Sequence, residues 1–341
     1  MDPRPLPAEA AADVAGTPPA PPARRRVALP PENAPAEPVE ELDSDGNPVR
    51  SDADRFAADL GAVAVITDRG ITHARNDDAV SAAVVEDPAT GRPLATVIVV
   101  SDGVSSSDDP QAASGAAVRA GLEATVAVLE AGGSAAEAVP AGLEAAAAAV
   151  RAVGVDVENA PSCTFVSAVV HADGPDAVLI TVANVGDSRA YWLRAGVAPN
   201  SAAVATQPEL TIVTDGGAAH AVPSQRLTVD DSWAQALVDA GAMDEQAAMR
   251  DPRAHTLLRW LGADTSPRPW ADDCVRTLRT RGPGVLLLCS DGLWNYISEP
   301  EALAAPATGA APADAARELV EFALRCGGND NITVALAPVA G

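Results

Sequence analysis

Two apolar segments of the sequence end in the same tripeptide, Ser-Asp-Gly. The segment "VIVV" leads into Asp102 and the segment "VLLLC" leads into Asp291, in each case through a serine and with a glycine next. A carboxylate at the end of a buried strand is costly unless a partner neutralises it. The repeat of this arrangement, roughly 190 positions apart, indicates that the two strand ends meet and share such a partner.

Further acidic residues stand at the edges of other predicted strands. Asp77 and Asp78 precede one strand, Asp330 precedes the last strand, and Asp187 lies in a turn between two strands. Carboxylates that converge repel one another unless a cation lies between them. Because no paired histidine or cysteine accompanies them, an oxygen-only ligand set, extended by a carbonyl such as that of Gly103, favours Mg²⁺ or Mn²⁺ over zinc.

Each of these residues also has a simpler interpretation. An Asp-Gly pair after a strand is most often a turn. Asp187 and Ser188 could form an ordinary hairpin turn, and Asp330 could cap a loop with its side chain. The remaining histidines, among them His255, show no metal-ligand spacing, and Arg189 is expected to be an internal salt-bridge partner. It is the whole set, in order, that favours a metal centre.

The pattern of the chain predicts the elements that would position these residues. Two successive helices are predicted over 110–152, short helical pieces over 231–263 and an amphipathic helix over 311–327. Short Val- and Ile-rich segments predict strands, namely 61–67, 79–85, 94–100, 164–172, 176–185, 189–196, 273–280, 284–290 and 331–339. The three strands between 164 and 196 are close in sequence and are expected to pair antiparallel with one another. Runs of strands, then helices, then strands indicate an α+β fold.

Composition limits the class of protein. The 341 residues carry 47 acidic and 23 basic side chains, a net charge of -24, and every basic side chain is arginine. This charge argues against binding to nucleic acid or to anionic membranes. The four cysteines form no C-x-x-C pair, the N-terminus has no signal-peptide pattern, and no apolar run reaches the ~18 residues of a membrane span. We therefore expect a cytoplasmic protein.

The N-terminal part differs from the rest. Residues 1–56 are rich in Pro, Ala and Glu and are predicted to be a disordered tail. Its "ARRR" run could be a docking spot, although a solvated charge run is the favoured interpretation. Residues 57–341 are predicted to form a single folded domain.

The acidic segments resemble the signature blocks of a known family when they are taken in order. The blocks are "DRGITHARNDDA", "VVSDGVSS", "SCTFVSAVV", "ANVGDSRAYWL", "LTVDDSW", "LLCSDGLWNYI" and "GGNDNITV". They are similar to those of the metal-dependent protein serine/threonine phosphatases of the type 2C, or PPM, family, over about residues 60–338. The resemblance implies a four-layer α-β-β-α sandwich of two antiparallel sheets flanked by helix pairs. It also implies a flap-like segment at about 197–265, as in bacterial members.

The resemblance assigns roles to individual positions. It implies a binuclear Mn²⁺ or Mg²⁺ centre in which Asp102 bridges both ions, Asp291 and Asp330 complete the first site, and Asp77 and the carbonyl of Gly103 hold the second. Asp78 would hydrogen-bond metal-bound waters. Asp187, with Asp291, would hold a third ion. The family chemistry is in-line attack on phosphorus by a metal-activated water.

Two departures from the family pattern affect the expected site. His73 stands where an arginine usually clasps the substrate phosphate, so either His73 or the nearby Arg75 could bind phosphate, and His73 could instead protonate the leaving group. Asp77 stands where a glutamate is usual, which weakens the second metal site. Ser162 and Asp231 replace a usual glycine and histidine and are expected to be tolerated.

The function expected from the resemblance is hydrolysis of phosphoserine and phosphothreonine in proteins, the substrates of Ser/Thr kinases, by a monomer that binds neither nucleic acid nor membranes. The alternatives are a weakly active or inactive phosphatase-fold module that binds phosphoproteins, and a hydrolase of small phosphoesters. The retention of Asp78, Asp102, Asp291 and Asp330 favours an active enzyme.

Overall fold

Two six-stranded antiparallel sheets form the centre of the fold. The computed structural model describes residues 24–30, 54–154, 159–196 and 221–339. Within these ranges the strands are β1 (Arg24–Ala28), β2 (Arg55–Asp59), β3 (Ala64–Asp68), β4 (Ala79–Glu86), β5 (Pro93–Ser101), β6 (Ser162–Cys163), β7 (Phe165–Ala172), β8 (Ala177–Val185), β9 (Arg189–Leu193), β10 (Gln225–Arg226), β11 (Leu261–Gly262), β12 (Val275–Arg281), β13 (Gly284–Cys289) and β14 (Ile332–Val339). The first sheet has the order β1-β4-β5-β7-β8-β12, the second has the order β10-β9-β13-β14-β3-β2, and β6 pairs with β11 apart from both.

Helices cover the outer face of each sheet. The helices of the described residues are α1 (Pro110–Glu130), α2 (Ala135–Val153), α3 (Trp233–Asp239), α4 (Glu245–Ala248), α5 (Asp291–Trp294), α6 (Pro300–Thr308) and α7 (Pro312–Arg325). The pair α1 and α2 packs on the first sheet, and the pair α6 and α7 packs on the second. The predicted four-layer α-β-β-α sandwich is therefore confirmed.

The layering explains why the central strands are apolar throughout. In β5, Val97 and Val99 face α1 and α2, whereas Ile98 and Val100 face the second sheet. A strand that is buried on both faces has no polar alternation. The same holds for β13, whose residues point alternately between the sheets and toward α6 and α7.

The helix α1 has the length and apolarity that would allow a membrane crossing, and it is the one helix of the described residues of which this is true. In the fold its buried residues, such as Val118 and Leu122, pack against α2, β4 and β5.

The path from β8 to β9 corrects one prediction. β7 and β8 pair antiparallel as expected, but β9 pairs with β13 in the second sheet and the edge of β8 is taken by β12. Gly186, with φ +95, directs the chain from one sheet to the other. Asp187 therefore lies where the two sheets meet, and not in a hairpin turn.

The expected disordered tail also needs a correction. Arg24–Ala28 pairs antiparallel with β4 and forms the edge of the first sheet. Arg26 forms a 2.8 Å ion pair with Glu86, and Ala28 is buried between the sheets. The interstrand hydrogen bonds and the burial of Ala28 offset the conformational entropy that this polar segment loses when it becomes ordered. Residues 1–23 and 31–53 of the predicted tail lie outside the described residues, as do residues 197–220 of the flap-like segment.

Candidate metal centre

The ends of β5 and β13 meet, as the repeated Ser-Asp-Gly predicted. Asp102 and Asp291 line one pocket together with Asp187 and Asp330. These four carboxylates come from four separate places in the sequence. Tertiary packing of the two sheets brings them together at one end of the sandwich.

The glycines of the two Asp-Gly pairs are required because other backbone segments approach them closely. A Cβ on Gly103 would lie 2.7 Å from the carbonyl oxygen of Asp77, and a Cβ on Gly292 would lie 2.0 Å from that of Asn331. Real Cβ atoms do not approach so closely, so no other residue fits without a shift of the backbone. The glycines let the backbone of the first and last acidic blocks pack directly against the ends of β5 and β13.

Thr164 fixes the backbone of Asp102 on both sides. Its Oγ1 accepts a 3.0 Å hydrogen bond from the backbone N–H of Asp102, and its own N–H donates a 2.8 Å bond to the carbonyl of Asp102. The carboxyl group of Asp102 is left to face the pocket. Burial, and repulsion from Asp78 and Asp291, raise the pKa of Asp102 well above its usual range.

Asp78 lies behind the pocket and is held by two hydroxyls. Ser290 and Thr333 each donate a 2.7 Å hydrogen bond to its Oδ2, and its Oδ1 is buried without a hydrogen-bond partner among the described residues. Burial, together with the charges of Asp330 and Asp291, raises the pKa of Asp78 to about 7 against the effect of these two bonds.

Asp291 begins the short helix α5. Burial, followed by repulsion from Asp330, raises its pKa to about 7. Its Oδ2 accepts a 3.2 Å bond from Asn295, whereas its Oδ1 is buried and has no partner in the described part of the chain.

Asp77 is engaged by a neighbour and not by the pocket carboxylates. Arg75 Nε donates a 2.8 Å hydrogen bond to its Oδ1. Its carbonyl oxygen accepts bonds from the N–H of Gly103 at 3.2 Å and the hydroxyl of Ser114 at 2.6 Å. Burial raises the pKa of Asp77, and Arg75 and His73 oppose this. Its predicted role in the second metal site stays a prediction.

His73 lies next to a pocket carboxylate. Its Nε2 is 3.3 Å from Asp330 Oδ1, and its side chain is 28% exposed. The imidazole therefore reaches the acidic cluster from the solvent side. Asp330 also accepts a 2.8 Å bond from the N–H of Asn331, which directs its carboxyl group.

A histidine that the sequence patterns did not single out lies at the same site. Ligand atoms of His255, Asp187 and Asp291 all lie within 4.8 Å of one another. Burial lowers the pKa of His255, and the charge of Arg189 lowers it further. Nothing in the sequence signalled this proximity, because the carboxylates near His255 are supplied by distant strand ends.

The electrostatics of the cluster fit a divalent cation. Burial, followed by repulsion from Asp291 and Asp230, raises the pKa of Asp187, and similar forces act on Asp78, Asp102 and Asp291. The charge of the buried Arg189 opposes the rise in the pKa of Asp187 and Asp291 only in part, and its guanidinium pairs with Asp230 at 2.6 Å. This pair is the internal salt bridge expected for Arg189. Crowded carboxylates with unpartnered buried oxygens are the ligand set of Mg²⁺ or Mn²⁺.

Comparison with known proteins agrees with the geometry. No family model matches the chain. It is 34% identical over 161 residues to the serine/threonine protein phosphatase PstP of Mycobacterium tuberculosis, which covers 46% of this chain and 24% of that protein. It is 31% identical over 157 residues to the serine/threonine phosphatase stp of Listeria monocytogenes, which covers 46% of this chain and 50% of that protein. The matches thus span half or less of the length of these curated relatives.

Solved structures show the same fold over most of the chain. The PPM Ser-Thr phosphatase MsPP of Mycobacterium smegmatis, in complex with cacodylate, superposes with a TM-score of 0.58 at 23% identity, covering 83% of this chain and 100% of that one. The catalytic domain of PstP in complex with two manganese ions gives a TM-score of 0.54 at 24% identity, covering 82% of this chain and 98% of that one. The chain therefore has the fold of the PPM phosphatases and resembles the bacterial serine/threonine phosphatases in sequence, as its acidic blocks predicted.

Proposed function

We propose that this protein hydrolyses phosphoserine and phosphothreonine in proteins, with two divalent ions, Mn²⁺ or Mg²⁺, held by the acidic pocket. The observation that carries the proposal is the convergence of Asp102, Asp187, Asp291 and Asp330 on one pocket, whose lining includes no arginine among the described residues. The sequence and fold similarity to serine/threonine phosphatases supports the choice of reaction. Divalent ions at such a site supply charge neutralisation and an activated water for attack on phosphorus.

The residues of the pocket have distinct tasks in this proposal. Asp102, which lines the pocket, would be shared by both ions. Asp291 and Asp330 would complete one site, and the carbonyl of Gly103 would contribute to the other. Asp78, with its free Oδ1, would accept a hydrogen bond from a water held at the cluster. Its Oδ2 is already satisfied by two hydroxyls, which orient it.

His73 and Arg75 would meet the substrate phosphate at the mouth of the pocket. His73 already reaches the Asp330 carboxylate, so a phosphate there would lie within reach of its ring. Arg75 uses its Nε on Asp77, and only its terminal N–H groups could turn to phosphate. His73 is therefore the stronger candidate for the phosphate-binding group, and it could also donate the proton to the leaving oxygen.

The partners that follow are phosphorylated proteins, which are the products of Ser/Thr kinases. A folded loop carrying phosphothreonine must bring its phosphate to the pocket beside Val104, Leu257 and Trp260. These apolar side chains can contact the residues that flank the phosphate. We expect a phosphopeptide to be a better substrate than a small phosphoester for this reason.

The test is phosphate release from a phosphothreonine peptide and from p-nitrophenyl phosphate, with Mn²⁺ or with a chelator. We expect Mn²⁺-dependent release that falls by more than about 100-fold in Asp102→Asn and Asp291→Asn, since even indirect metal partners contribute 10–100-fold. Asp176→Asn is the matched control, because Asp176 is exposed and stands at the opposite end of β8 from Asp187. Phosphopeptide binding without turnover, or turnover of small phosphoesters alone, would contradict the proposal.

A further inference from the structure

The loop between β3 and β4 carries His73 across one end of the sandwich. It comprises residues 69–78, of which 71, 72 and 74 are exposed. It passes from the second sheet to the first, because its two flanking strands belong to different sheets. Exposed segments with few buried contacts open locally. The place of the imidazole beside Asp330 therefore depends on what holds the backbone of this loop.

Asn331, directly before β14, holds both ends of this loop with its side chain. Its Nδ2 donates a 2.7 Å hydrogen bond to the carbonyl of Arg69 and a 3.0 Å bond to that of Arg75. Its Oδ1 accepts a 2.7 Å bond from the N–H of Asp77. Arg69 begins the loop, whereas Arg75 and Asp77 lie near its end. One amide thus joins the two ends of the loop.

Asparagine suits this position because of its hydrogen-bonding groups. Its amide offers two N–H donors and one carbonyl acceptor on a short side chain. The buried Asn331 uses both donors and the acceptor on the loop backbone. An aspartate would lose both donors, and an alanine would remove all three bonds. The connection between the two ends of the loop therefore depends on this side chain.

The segment 328–330 supports the middle of the loop. The carbonyl of Gly328 accepts a 2.7 Å bond from the N–H of Ile71. The hydroxyl of Thr72 donates a 2.6 Å bond to the carbonyl of Asn329. These two contacts directly precede the histidine in the chain, so the loop is held in its middle as well as at its ends.

Asn331 also directs the carboxylate that faces the imidazole. Its backbone N–H donates a 2.8 Å bond to Oδ1 of Asp330, and the same oxygen lies 3.3 Å from Nε2 of His73. The amide side chain thus fixes the loop that carries His73, and the backbone N–H fixes the carboxylate opposite. A single residue sets both sides of the contact between His73 and Asp330.

We propose that Asn331 is a positioning residue for the substrate phosphate: through the loop 69–78 it holds His73 beside Asp330, at the mouth of the acidic pocket. This rests on the proposed function, in which His73 is the phosphate-binding group. Asn331 acts through His73 and has no contact of its own with the phosphate. Loss of its three side-chain bonds releases the loop, and the imidazole then leaves the pocket mouth while the carboxylates at the strand ends stay in place.

The first part of the test measures the loop without metal, by hydrogen–deuterium exchange and mass spectrometry of the full chain in chelator. Asn331→Ala should exchange faster over residues 69–78, because the N–H of Asp77 loses its acceptor. Asn329→Ala is the matched control and should exchange like the unaltered chain, because its exposed side chain makes none of the three bonds. Unchanged exchange of the loop in Asn331→Ala overturns the proposal, and so does faster exchange that extends to α7, which would show a general loss of the fold.

The second part measures hydrolysis of p-nitrophenyl phosphate at saturating Mn²⁺. Asn331→Ala should raise the KM by about tenfold, the size of one lost hydrogen bond to a charged group, and His73→Ala should do the same. The double variant should show no further rise, because the two residues act on one contact. Thr72→Ala removes one bond from the exposed part of the loop and leaves the core intact, so it should give a smaller rise that His73→Ala also masks. Effects of Asn331→Ala and His73→Ala that add would overturn the proposal.

The result is separable from that of the proposed function. Phosphate release with Mn²⁺ tests the binuclear centre, whereas exchange in chelator tests the bonds of Asn331. An active enzyme whose loop exchanges at the same rate with and without Asn331 would overturn the positioning role alone. Faster exchange of the loop in Asn331→Ala, in a protein that releases no phosphate, would overturn the proposed function alone, because the loop would still be held beside Asp330.

Discussion

The hydroxyl of Ser290 donates a 2.7 Å hydrogen bond to Oδ2 of Asp78, a residue 212 positions earlier in the chain. Through this bond the end of β13 is tied to the acidic block that precedes β4. Thr333 at the start of β14 donates a second bond of 2.7 Å to the same oxygen. The carboxyl group behind the pocket is therefore oriented by two strands of the second sheet.

The raised pKa values predict a pH-dependent response to metal. For Asp78 and Asp291 the pKa rises from 3.8 to about 7, so the metal-free fold gains from their protonation below pH ~4 and loses this gain as pH rises toward 7. Metal ions replace those protons and stabilise more as the protons leave. We expect the increase in Tm on adding Mn²⁺ to grow between pH 5 and 7.5.

The measurement is a thermal melt at each pH with Mn²⁺ or with chelator. In Asp78→Asn the Tm measured in chelator should depend less on pH, because one carboxyl group with a raised pKa has been removed. An increase in Tm with Mn²⁺ that is the same at every pH would contradict the prediction.

Substitution of Gly292 should disrupt the site through the backbone. Its Cβ would lie 2.0 Å from the carbonyl oxygen of Asn331, so Gly292→Ala must displace either α5 or the start of β14. We expect a loss of about 1–3 kcal/mol of stability, as for other overpacked sites. Weaker metal binding should accompany it, because Asp291 is the adjacent residue.

A second glycine supplies the control for this variant. Gly115 lies inside α1, and a Cβ there meets nothing within 4 Å. Gly115→Ala should stabilise the protein by roughly 0.5–1 kcal/mol through helix propensity. Urea unfolding of both variants measures the two effects, and equal stability of Gly292→Ala and the unaltered protein would refute the steric argument.

Removing one partner of the buried ion pair of Arg189 and Asp230 should destabilise the fold, whereas replacing both should destabilise it much less. The two side chains are 3% and 4% exposed, and Arg189 also lies 3.7 Å over the ring of Trp294. Arg189→Met leaves a buried charge and should cost about 3–5 kcal/mol. The double variant with Asp230→Leu should recover much of that loss in urea unfolding, and a purely additive result would show that the pair does not act as a unit.

The identity of residue 73 should govern phosphate binding. Arginine can donate a bidentate pair of hydrogen bonds to phosphate, which histidine cannot, so His73→Arg should lower the KM for p-nitrophenyl phosphate. His73→Ala should raise the KM without a comparable change in kcat if the imidazole only binds phosphate. A loss of kcat in both variants would instead assign proton donation to His73, which a shift of the pH–rate profile would verify.

The sequence alone determined the layered fold and most of the pocket. Strands such as β5 and β13 are apolar on both faces because helices cover one face and the opposite sheet covers the other. This pattern lies within a few consecutive residues and can be read from the sequence. The repeated Ser-Asp-Gly placed Asp102 and Asp291 at strand ends, where a charge needs a partner. The expected antiparallel pairing of β7 with β8 also follows from their short connection.

Tertiary structure alone decided the remaining features. β9 joined the second sheet because β12 occupies the edge of β8, and the edge of β4 was open to Arg24–Ala28. His255 reached Asp187 and Asp291 through bonds made by Asp231 and through stacking on Trp294. Competition for a strand edge and convergence of distant turns depend on the packing of the entire chain, so no local spacing encodes them.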